Sequence, residues 1–216
     1  EWIGLNTISY PVFWYRGSLY EGESGSAWPY SNRLHPADFM QMMASACSKR
    51  NVAFYPSFNS WTVPTMRKWL VSEQEVIDGT PNANVVEKNG RIMQWDDPEG
   101  WYKPRVNVMH PEVQEIIKAM VREVASRCGK YDSFRGIDLM LWPGAMFRHG
   151  GPAGTDCEGS FDDYSVMEFA KTIGQTPPGK IGQKDRFVER SMWILNDPVR
   201  KAAWIAWRCD RMLAFY

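Results

Sequence analysis

The sequence predicts an α/β protein built from successive strand–helix units. Short apolar, β-branched runs alternate with amphipathic helical stretches, and proline or glycine marks most junctions between them. The 216 residues suffice for one sizeable core and are too few for several independent ones, so residues 1–216 read as a single α/β domain.

The first element is Trp2–Tyr10 (WIGLNTISY), a short apolar run followed by Pro11, which reads as a buried strand. A polar, Gly/Ser-rich loop from Gly17 to Ser31 leads to a helix opened by Pro36, whose missing N–H suits the first helical position. Phe39, Met42, Met43, Ala46 and Cys47 give that helix an apolar stripe. Val52–Phe58 is the second strand, weakened at Pro56, which offers no ladder donor. Pro64 opens a short helix through Trp69 and Leu70. From Asp78 to Pro104 no period is sustained, and an excursion of that length is uncommon unless it has a task.

Arg105–Val108 is read as a short strand, and His110-Pro111 opens the clearest helix. Val113, Ile116, Ile117, Met120, Val121 and Val124 recur there at helical spacing, and Gly129 ends it. Gly136–Trp142 is a strand with Ile137, Leu139 and Leu141 on one face and Asp138, Met140 and Trp142 on the other. After a glycine-rich loop, Ser160 and Asp163 suggest a capping box for a helix through Val166, Ala170 and Ile173, stopped by Gly174. A Pro/Gly linker, Pro177–Gly182, precedes two helical stretches, Arg186–Leu195 and Pro198–Tyr216. The last presents Ala202, Ile205, Cys209, Met212, Leu213 and Tyr216 on one face. This grammar calls for a parallel sheet, either open and doubly wound or closed as a (β/α) barrel. About four strands are visible, half of the eight that a barrel requires, so the chain reads as the first half of one.

Composition narrows the function. With 25 basic and 25 acidic residues the net charge is zero, which argues against a nucleic-acid surface. No apolar run approaches the ~20 residues needed to span a bilayer. The four cysteines show neither a Cys-x-x-Cys pair nor zinc spacing, and no dinucleotide or phosphate-binding fingerprint occurs, so no metal or cofactor is called for. Cys47, Cys128 and Cys209 read as small apolar side chains on helix faces. Aromatic residues reach 14%, with 11 tryptophans, and several of these, including Trp28, Trp61, Trp95 and Trp101, lie outside periodic segments.

In α/β folds of this kind ligands bind at the C-terminal ends of the strands. That rule selects Ser9 and Tyr10; Asn59, Ser60 and Trp61; Asn107 and His110; and Trp142 with its following loop, which contains His149. Aromatic rings beside amides and hydroxyls suit a sugar, whose C–H faces stack while its hydroxyls need donors and acceptors. Trp61, Trp95, Trp101 and Trp142 would form the stacking platform, and Tyr10, Asn59, Asn107 and His149 would bind hydroxyls. Trp61 and Trp142 read equally well as caps on the core. Glycoside hydrolysis needs two carboxylates facing one bond. The candidates are Glu158, Asp156 and Asp138. Asp138, inside an apolar strand, also reads as a structural carboxylate paired with an arginine of a neighbouring strand such as Arg105. His35 and His110 read as cap residues.

Several stretches resemble one family, the family 10-like glycoside-hydrolase-like TIM-barrel proteins of bacteria. They are GLNTIS (Gly4–Ser9), NVMHPEVQEIIKAMVREVASRCGKYDSFRGIDL (Asn107–Leu139), FDDYSVMEFAKTIG (Phe161–Gly174) and RFVERSMWILNDPVRKAAWIAWRCDRMLAFY (Arg186–Tyr216). The resemblance implies a (β/α)8 TIM-type barrel acting on carbohydrate, and favours a periplasmic or extracellular location. Many sugar-cleaving barrels carry an Asn-Glu at the end of the fourth strand, whereas this strand ends Leu141-Trp142-Pro143-Gly144. The acid would then move to Asp156 or Glu158. The two functional expectations are a glycoside hydrolase and a non-catalytic carbohydrate-binding barrel.

Overall fold

A computed structural model of the chain describes residues 4–14, 17–18, 38–58, 69–92, 94–95, 103–104, 106–139 and 159–215. In chain order its elements are β1 (Thr7–Trp14), β2 (Gly17–Ser18), α1 (Phe39–Ser48), β3 (Ala53–Phe58), α2 (Glu73–Asp78), β4 (Gln94–Trp95), β5 (Lys103–Pro104), α3 (Pro111–Cys128), β6 (Asp138–Leu139), α4 (Asp163–Thr172), α5 (Arg186–Leu195) and α6 (Pro198–Phe215). The chain divides into two units, Glu1–Arg67 with Glu115–Leu141, and Lys68–Gln114 with Trp142–Tyr216.

The first unit is built on a sheet of order β2-β1-β3-β6, in which β1, β3 and β6 run parallel and β2 turns back antiparallel on β1. β3 is central although it contains Pro56, and its hydrogen bonds explain how. The Ala53 N–H points to the β1 side, donating to the Asn6 carbonyl, while the Phe54 N–H points the other way, to Ser133. By the two-residue period, the N–H that Pro56 lacks would face the β6 side. There the paired register begins only at Ser57 with Asp138, so no ladder bond is lost.

The apolar residues of one strand face are buried, and Ser57 is buried on the other. Val12, Phe54 and Phe58 join Met40, Ala44 and Cys47 of α1 and Met120, Val124 and Cys128 of α3 in the core. The α1 stripe is therefore Met40, Ala44 and Cys47, one position off the expected one, and Met42 is 55% exposed. Asp38 sets that phase, since its side chain accepts from the Gln41 N–H at 3.0 Å and starts the helix after Pro36. Arg127 of α3 pairs with the same carboxylate at 3.1 Å.

In the second unit, a capping box of Ser72 and Glu75 opens α2. Most of the helix expected from Pro64 through Leu70 falls on residues 64–68, which lie outside the described residues. Val76 of α2 packs with Val86, Ile92 and Phe187. A second aromatic core joins Phe161, Phe169, Trp204 and Trp207, with the two indoles stacked at 5.2 Å. Trp204 and Trp207 are thus core residues. The cap of α4 is Asp162, which accepts from the Ser165 N–H at 2.9 Å, and not Ser160, which sits at a φ of 72°.

The expected (β/α)8 TIM-type barrel is corrected by this architecture. Among the described residues the parallel sheet has three strands, and residues 159–215 contain helices and loops only. A barrel needs a strand between successive helices. Only Asn196 and Asp197 separate α5 from α6, too short a link for a strand, so the alternation stops. The strand expected at Arg105–Val108 is not in the sheet either: Val106 forms only an isolated antiparallel bridge to Asn84. Most of the face of α6 expected to be buried is turned outward as well. Leu213 is 78% and Ile205 41% exposed and Cys209 is exposed, while Met212 of that face is buried together with Trp204, Trp207 and Arg208, because the two indoles offer more apolar area than the aliphatic stripe.

Candidate functional site

The sheet of the first unit separates two chemistries. Phe54, Pro56 and Phe58 point to the core side, and Tyr10 stands on that side too, its ring 5.6 Å from that of Phe39 on α1. The alternate positions carry Ser9, Tyr55, Ser57 and Asp138 on the opposite face. Ser9 is in register with Tyr55, and Ser57 with both Pro11 and Asp138.

Ser9 Oγ donates to Asp138 Oδ2 at 2.6 Å, although β3 lies between their strands. In a flat sheet two strands flanking a third are about 9.6 Å apart, too far for two short side chains to meet. The bond therefore bridges across β3. Ser57 of β3, on the same face by register, is 1% exposed, and its hydroxyl has no hydrogen-bond partner. Leaving a buried hydroxyl unmatched costs about 1–3 kcal/mol, so such a group calls for an explanation. Asp138 Oδ1 has no donor among the described residues. Tyr55 leans toward the start of β6, where a Cβ on Gly136 would come within 3.6 Å of its ring. The face therefore carries a carboxylate oxygen and a phenol ring, with the Ser57 hydroxyl buried out of reach of solvent.

Of the residues expected to form a site, this face carries Ser9 and Asp138. The partner of Asp138 is Ser9 rather than an arginine, and Arg105 lies outside the described residues. Tyr10 is on the other face of the sheet. Trp95 is placed by its backbone on β4, opposite Lys103, with its side chain outside the described residues. Glu158, Asp156, Asn59, Trp61, Trp101, Trp142 and His149 also lie outside them. Tyr55 and Ser57 were not singled out, yet the signal was present. Ala53–Phe58 alternates between bulky apolar residues and Ala, Tyr and Ser, which marks a second, distinct face.

Asn107 serves a structural purpose in the second unit. Its side-chain N–H groups donate to Asp162 Oδ2 at 3.0 Å and Ser165 Oγ at 2.8 Å, and its Oδ1 accepts from the Met109 N–H. It is 2% exposed, so no amide group is left for a sugar. Burial drives Asp162 up from 3.8 to about 6, a value suited to a general acid. Geometry rules that role out, because Asp162 is 3% exposed and both of its oxygens are engaged inside the fold. Beside this knot His110 packs between the rings of Trp69 and Tyr164, at 5.9 and 4.8 Å, and burial lowers its basicity. Its carbonyl accepts from Val113 and Gln114, so it does serve as the backbone cap of α3.

The remaining buried charges also hold the fold together. Asp163 receives two hydrogen bonds from Arg186 and one from Arg190. Burial pushes its carboxyl up, but the two arginines outweigh that and hold it below the ordinary carboxylate value. Among the described residues no cluster of His, Cys, Asp and Glu could hold a metal ion, and no helix is long and apolar enough to cross a membrane. No family model, curated protein or solved structure matches the chain.

Proposed function

We propose that the chain recognises a poly- or oligosaccharide, and that the polar face of the first unit's sheet, with Asp138 on it, is where a sugar docks. The observation that carries this reading is the half-buried Asp138 carboxylate, held by Ser9 through one oxygen and with no donor to the other among the described residues. Sugars supply hydroxyls that both donate and accept, and a carboxylate next to a hydroxyl suits them. The resemblance to family 10-like sugar-cleaving proteins points to the same ligand class. Binding of the full chain to an array of glucans, mannans, galactans and xylans tests it. Binding should occur and should fall at least about tenfold in Asp138→Ala, the loss expected for a charge-assisted hydrogen bond. If the wild type binds nothing on the array, the reading is wrong.

A second reading, glycoside hydrolysis, is favoured by Asp138 itself, an accessible carboxylate beside the strand ends. Cleavage needs a second carboxylate about 5–9.5 Å from the first, and Glu158 or Asp156 would supply it as general acid. Turnover of the same glycans by wild type, lost in Glu158→Gln or Asp156→Asn, would support hydrolysis. Hydrolysis untouched by both substitutions would remove those residues from the mechanism.

A further inference from the structure

We draw no further inference here: the strongest candidate, the outward apolar stripe of α6 formed by Val199, Ile205, Cys209 and Leu213, carries nothing because nothing in the structure shows what covers it.

Discussion

Replacing Asp163 by asparagine should destabilise the protein by several kcal/mol without changing the shape of the side chain. Arg186 is fully buried, and all five of its N–H groups are engaged: two with Asp163, at 3.0 and 2.8 Å, and three with the carbonyls of Val76, Ile77 and Gln183. Arg190 adds a third bond to Asp163 and is 3% exposed. One carboxylate thus balances two buried guanidinium groups. Asparagine keeps one acceptor, turns an N–H toward an N–H, and leaves positive charge uncompensated. Removing one partner of such a pair costs about 3–5 kcal/mol, set against a typical total of ~5–15 kcal/mol. Urea unfolding followed by tryptophan fluorescence would measure it. The pH dependence is a second check. A carboxyl held below its ordinary 3.8 contributes stability that is present above that value and lost as pH falls through the folded value. The difference between wild type and Asp163→Asn should therefore be flat from about pH 8 to 5 and shrink only below about pH 4. A loss under about 1 kcal/mol at neutral pH, the size of an exposed pair, would refute the reasoning.

Asp162 should behave in the opposite sense. Its carboxyl is raised to about 6, so its contribution is present below the ordinary 3.8 and lost as pH rises through about 6. Asp162→Asn, which keeps the cap, should flatten that loss, whereas Asp162→Ala should cost about 0.5–2 kcal/mol at every pH; urea titrations between pH 4 and 8 decide, and parallel curves for wild type and Asp162→Asn would contradict this. Gly179→Ala should destabilise by about 1–2 kcal/mol or more, because Gly179 sits at a φ of 78° and an added Cβ would lie 2.7 Å from the Arg186 Cα; an unchanged urea midpoint would count against it. Trp204→Ala should cost about 3–5 kcal/mol and Leu213→Lys within about 0.5, and equal losses at the two sites would mean that the buried face of α6 has been misassigned.

What the sequence disclosed depended on how many answers each segment allowed. α3 was legible because its apolar stripe has one phase, and Val113, Met120 and Val124 are indeed buried. In α1 the residues Phe39, Met40, Met42, Met43, Ala44, Ala46 and Cys47 support two overlapping stripes, and only the Asp38 cap chooses between them. α6 was read from aliphatic spacing while Trp204 and Trp207 claimed the core. The barrel was extrapolated from strand–helix alternation that, among the described residues, gives way to α4, α5 and α6 after β6. Asn107 looked like a ligand amide because nothing local reveals its partners, which lie 55 and 58 residues away.

The same comparison separates the two carboxylates that could draw attention as working groups. Asp162 has the titration of a general acid, yet that shift comes first from burial, and both oxygens face partners inside the fold. Asp138 is half-buried, held by one serine, and has an oxygen with no donor among the described residues beside an unmatched hydroxyl. A perturbed titration marks a functional group only where a ligand can reach it. Ser57 is the converse case, an unmatched hydroxyl that is buried away from solvent. Deleting an unmatched buried hydroxyl removes a cost, so Ser57→Ala should leave the protein unchanged or more stable by up to about 1–3 kcal/mol. If urea unfolding instead shows a clear loss of stability, the Ser57 hydroxyl already has a partner in the folded chain, and Asp138 with its open oxygen is left as the polar group of this face that a ligand can reach.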